Sequence, residues 1–99
     1  RVSDVARSAM SAARVTGIRP TRLVVAIGAI EESVGTSGRA DLAYRRALTL
    51  NPTSYQALAG LYRVAVRDER HPAALSYRAR LCRLGPDYCP ARSTLENAR

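Results

Sequence analysis

The chain contains no lysine, no phenylalanine and no tryptophan, and it has one histidine, one methionine and two cysteines. Each scarcity removes a class of chemistry. The GTSG stretch at 35–38 is too short for a phosphate-binding loop and has no lysine to complete one, so it reads as a turn between helices. No serine or cysteine has a histidine placed to activate it, and Glu31 and Glu32 are neighbours on one helix rather than a converging carboxylate pair. The segment is therefore expected to be non-enzymatic. Zinc wants about four ligands, and only His71 is available to join Cys82 and Cys89, so neither a metal nor a cofactor is expected. Long apolar runs are missing as well. The stretch LVVAIGAI at 23–30 falls far short of the roughly 20 residues that cross a bilayer, and the first residues carry no signal-peptide pattern. A start on Arg1 suggests a processed chain or a piece of a longer one.

What is present is a repeat. The 99 residues, 46% of them hydrophobic, suit one domain with a modest core and argue against disorder. Laid over itself at an interval of 34, the sequence pairs Ala40 with Ala74, Ala47 with Leu81, Leu50 with Leu84 and Pro52 with Pro86. Leu58 and Leu61 likewise repeat Val24 and Ile27, although Arg78 stands where Tyr44 stood and Tyr62 where Gly28 stood. Tyr77 lies one residue early, so a one-residue slip would restore an aromatic at that interface. Upstream, Ala6, Met10 and Ala13 precede Ala40, Tyr44 and Ala47 by the same interval.

Punctuation divides the chain into helices at about 3–15, 20–33, 39–50, 54–67 and 72–84, with a short sixth from 89 to 99 entered through Pro90 and anchored by Leu95. Ser54 is the expected N-cap of the fourth helix.

The order Gly28, Ala40, Tyr44, Ala47, Pro52 resembles the tetratricopeptide repeat, a 34-residue helix-turn-helix unit that must stack on neighbours to bury its apolar face. The resemblance covers residues 6–88. It implies an all-α, right-handed superhelical solenoid of antiparallel helix pairs with five to six helices. Residues 21–54 and 55–88 would be repeats, 1–18 the second helix of a partial repeat or a cap, and 89–99 a capping helix. Small residues then let helix backbones approach, the aromatic fills the gap between pairs, and the proline ends the second helix.

Charge is the second signal, with sixteen arginines against eight acids and a formal net charge of +8. One account is a solvated basic surface without a particular partner. The other is functional. In arrays of the resembled family the first helix of each pair lines the groove, which places Arg22, Val25 and Ala29, then Gln56, Ala59, Arg63 and Arg67 there. Arg63 and Arg67 are four apart, on one helical face, where planar forks take carboxylates or phosphates. An acidic peptide or protein segment is the expected partner. The family variant that clamps a terminal carboxylate uses lysine and asparagine where this chain has Val25 and Ala29, so that clamp is not expected.

Two alternatives stand beside the scaffold reading. The first is self-association through the apolar ends of a short array. The second is nucleic-acid or other polyanion binding through Arg39, Arg45, Arg46, Arg78, Arg80 and Arg83 on the second helices. Tyr44 reads as core, and Tyr55, Tyr62, Tyr77 and Tyr88 as helix-interface residues more readily than as a stacking platform.

Cys82 and Cys89 are close enough in sequence to reach one another across the end of the fifth helix. Bridged, they would staple the following segment to the last repeat and imply an oxidising compartment; reduced, they would be small half-buried hydrophobes of a cytoplasmic protein. The pair tilts the reading towards an exported bacterial assembly factor, working in a secretion, pilus or envelope complex as the resemblance allows.

Overall fold

The computed structural model describes residues 19–90, and within them all regular secondary structure is helical. Four helices follow in order: α1 at Pro20–Ser33, α2 at Ser37–Leu50, α3 at Tyr55–Arg67 and α4 at His71–Leu84, closed by a 3-10 turn at Pro86–Tyr88. No strand occurs among the described residues. The expected helix at 3–15 lies outside them, as do 91–99 of the expected sixth helix; Cys89 and Pro90 are described and are not helical.

Helices α2 and α4 begin and end 34 residues apart, and the turns before them repeat bond for bond. After α1, Val34 N donates to Ile30 O, Gly35 N to Glu32 O and Thr36 N to Glu31 O; after α3, Asp68 N donates to Val64 O, Glu69 N to Val66 O and Arg70 N to Ala65 O. Ala40 N on Thr36 O and Ala74 N on Arg70 O, both 3.0 Å, then open the next helix. The reversal needs one residue in the left-handed region. Gly35 supplies it at φ 86° and Glu69 at φ 58°, the latter with a side chain that disfavours it. This turn is tighter than the GTSG reading: Ser37 and Gly38 belong to α2, because Gly35 and Thr36 complete the reversal and Thr36 Oγ1 bonds back to Glu31.

The third helix starts on Ser54, whose Oγ accepts from Ala57 N at 3.3 Å, as its position predicts. Pro52 cannot continue α2, and Asn51 Oδ1 accepts from Thr53 N to shape the bend.

Two apolar clusters form the core, and α3 is the wall between them. Val24, Ala40, Ala43, Tyr44, Ala47, Ala57, Leu61 and Val64 make the first, so α1, α2 and α3 all contribute to it. Leu58, Tyr62, Ala65, Ala74 and Leu81 make the second, between α3 and α4. The pairs Ala40/Ala74 and Ala47/Leu81 are all buried, so α4 keeps the 34-residue register without a slip. Arg78 keeps the position corresponding to Tyr44, and its Nε donates to Pro90 O at 3.2 Å. Tyr77 is half-buried and touches both clusters from where it stands.

Tyr44 is the keystone of the first cluster. Its ring lies between two glycines, Gly28 of α1 and Gly60 of α3, either of which would drive a Cβ into the ring. The second glycine is not the residue that the repeat alignment singles out, since Tyr62 is one period after Gly28. Gly60 leaves the space for Tyr44, while Tyr62 turns its ring into the second cluster, with its hydroxyl buried and unpartnered among the described residues.

Candidate interaction surface

Burial leaves α3 little free surface: only Tyr55, Gln56, Arg63 and Arg67 are exposed along it. Gln56, Arg63 and Arg67 follow helical spacing and share one stripe, the line expected to face the groove. On that stripe the two arginines are already engaged. Arg63 Nε donates to Glu32 Oε2 at 2.9 Å and its Nη2 to Glu32 Oε1 at 3.0 Å, a two-pronged grip from α3 onto the end of α1. Tyr44 Oη donates to the same Oε1 at 2.7 Å. Arg67 Nη2 donates to Ser37 Oγ at 2.9 Å and its Nη1 to the backbone oxygen of Glu32 at 3.4 Å.

The electrostatics follow from this geometry. The Arg63 guanidinium, helped by the Tyr44 hydroxyl, holds the Glu32 carboxyl below its usual range, against the opposing effect of burial. Burial, and then the bond to a carboxylate that prefers a proton donor, pushes the Tyr44 phenol up to about 12. Glu32 in turn holds the Arg63 guanidinium still more firmly in its charged form. Three side chains from three helices thus share one carboxylate-centred node.

The expectation of a free arginine pair is corrected here. Arg63 and Arg67 do lie side by side, but Arg63 meets the carboxylate of the chain's own Glu32, and Arg67 meets the backbone oxygen of Glu32 and the Ser37 hydroxyl. Sequence reasoning treated Glu32 only as one of two adjacent acids. The signal was nonetheless present: Glu32 lies on the same helical face as Val25 and Ala29, and Arg63 is one period after Ala29. Of the other groove candidates, Arg22, Ala29 and Gln56 are exposed. Val25 is half-buried against the first cluster and Ala59 against the second. Arg22 and Gln56 make no side-chain hydrogen bond or ion pair among the described residues.

Elsewhere Arg45 and Arg70 converge on Asp41, at 2.9 and 3.4 Å, tying the start of α4 to α2. Arg39 reaches Glu31 at 3.9 Å. A disulfide joins Cys82 of α4 to Cys89. The ring it closes contains the 3-10 turn, whose Tyr88 packs on Tyr55 of α3 with ring centroids 4.7 Å apart. Among the described residues no group of three or more His, Cys, Asp or Glu is placed to hold a metal ion, and His71 is the half-buried first residue of α4. No described helix is long and apolar enough to cross a membrane. Compared with known proteins, the chain matches no family model, no curated protein and no solved structure.

Proposed function

We propose that this protein is a non-catalytic interaction scaffold, a short tetratricopeptide-like array whose stacked helix pairs present a groove to an acidic segment of another protein. The observation that carries this reading is Tyr44, seated between Gly28 of one pair and Gly60 of the next. A ring locked between successive pairs is what a stacking array requires, and stacking is how such units acquire a shared binding face. The bond-for-bond repeat of the turns at Gly35 and Glu69 supports it further. In this reading Arg22, Val25, Gln56 and Ala59 meet the partner directly. Arg63 and Arg67 frame the groove and are partly neutralised by Glu32. The disulfide agrees with an exported assembly role.

Photo-crosslinking from position 56 of the whole protein, in extract of its own host, tests the groove. Position 75 on α4, where Leu75 is 54% exposed, serves as the control. Adducts that form at 56 and vanish when Arg22 becomes glutamate support the proposal; adducts at 75 alone sink it. A second reading, self-association, is favoured by Ile30 and Val34, which are 61% and 66% exposed at the end of α1. Concentration-dependent mass in sedimentation, lost on Ile30→Asp, would establish it.

A further inference from the structure

The arginines fall into two sets. Arg39, Arg45, Arg63 and Arg70 meet carboxylates, whereas Arg19, Arg22, Arg67 and Arg78 have no ion-pair partner among the described residues, and neither have Arg46, Arg80 and Arg83. All three of the latter lie on α2 or α4, the second helix of each pair. The repeat period relates Arg46 to Arg80 and Leu50 to Leu84. Positive charge without an ion-pair partner therefore sits on the second helices as well as at Arg22 and Arg67 of the groove.

Two hollows are lined by arginines of these second helices. The first, about 230 Å³, is lined by Arg45, Arg46, Thr49 and Leu50. The second, about 270 Å³, lies where the turn after α2 meets the end of α4, and its lining includes Thr53, Arg80, Arg83 and Leu84 over the buried Leu58. Along the chain they adjoin, with Leu50 bordering one, Pro52 the other and Asn51 between. Each hollow thus sets guanidinium groups beside a threonine hydroxyl and leucine: Arg46 in the first, where Arg45 is already held by Asp41, and Arg80 with Arg83 in the second.

We propose that these two hollows dock a protein segment in which acidic and apolar side chains alternate. Guanidinium forks take carboxylates, and the leucines gain from covering an aliphatic side chain. The ends of α2 and α4 each carry about half a negative charge from their free carbonyls, which the arginines outweigh. A nucleic-acid strand would use the arginines but leave the leucines without a role, and neither hollow offers an aromatic ring on which a base could stack. The site is separate from the groove and does not depend on it.

Fluorescence anisotropy of the whole protein with a labelled peptide alternating aspartate and leucine tests the proposal, with polyglutamate of equal charge and a single-stranded DNA oligonucleotide as comparisons. The alternating peptide binds about tenfold more tightly than polyglutamate, and Arg80→Ala with Arg83→Ala weakens it about tenfold. Leu50→Ser weakens it as well, while Leu42→Ser, at an exposed position of α2 outside both hollows, does not. Circular dichroism verifies that each variant folds; if the double variant does not, Arg46→Ala takes its place. Absence of binding to the alternating peptide overturns the proposal. Equal binding of both peptides, or tighter binding of the DNA with a steep salt dependence, shows a general polyanion surface and also overturns it. Weakening by Gln56→Glu alone moves the peptide to the groove, with the same result.

Discussion

Gly28 faces the ring of Tyr44 so closely that a Cβ there would stand 2.7 Å from Cε1. Alanine ordinarily stabilises a helix relative to glycine by about 1 kcal/mol, so this contact reverses the expected sign. Gly28→Ala and Gly60→Ala should each destabilise by about 1–3 kcal/mol, the usual cost of overfilling a packed core. Gly38→Ala is the control, since nothing lies within 4 Å of its added methyl and it sits inside α2. Denaturant titration of the three variants gives the answer; a gain at Gly28 or Gly60 would mean that the ring moves aside freely.

Glu69 holds a left-handed conformation that Gly35 holds one repeat earlier. Glycine adopts it without strain, at the expense of a more flexible unfolded chain. Relief of the strain is the larger effect, and Glu69→Gly should stabilise by about 1 kcal/mol. Gly35→Ala should destabilise by a similar amount. Thermal unfolding of the pair checks both signs.

Stability should also depend on pH through the Glu32 node. The Glu32 pKa is lowered by folding, so its contribution is present above the ordinary carboxylate range and is lost as pH falls through the lowered value. Tyr44 works at the other extreme. Its phenol is raised from 10.0 to about 12, so stability is intact below 10.0 and declines as pH rises from there towards about 12. Glu32→Gln should flatten the acid limb of the profile, and Tyr44→Phe should remove the phenol's part of the alkaline limb. Unfolding curves across pH show whether either limb survives its substitution.

Removing the Cys82–Cys89 bond should cost about 2–3 kcal/mol on loop-entropy grounds, because the bond closes a short ring. The effect should reach α3 through Tyr88 and Tyr55. Hydrogen exchange at the start of α3, compared between the parent and Cys82→Ser with Cys89→Ser, measures that reach; unchanged protection there would confine the staple to α4.

The fold was legible where burial repeats. Ala40, Ala47, Ala74 and Leu81 must all be buried, and that requirement writes the period into the sequence directly. Ser54, Pro52 and Tyr44 were legible for the same kind of local reason. Legibility failed where a contact joins distant positions without a local cue. Glu32 and Arg63 are separated by a whole helix, and the adjacency of Glu31 and Glu32 hides that only Glu32 shares the helical face of Val25 and Ala29. The Gly35 turn was read too wide because Ser37 and Gly38 are turn formers by composition, and the deciding bond, Thr36 N to Glu31 O, belongs to the preceding helix. Gly60 was missed because the repeat alignment directs attention to Tyr62, while the ring it accommodates comes from the earlier pair. The groove candidates were placed by analogy alone, and analogy carries no information about which arginines the chain keeps for itself.

Of the stripe that α3 shows to solvent, Arg63 and Arg67 hold α1 and α2 in place, so changing either disturbs three helices at once. Gln56 has no such duty. If the proposed groove is the working surface, the central helix can be retuned at Gln56 alone, and any larger change of specificity falls to the outer helices, at arginines such as Arg46 and Arg83 that have no ion-pair partner among the described residues.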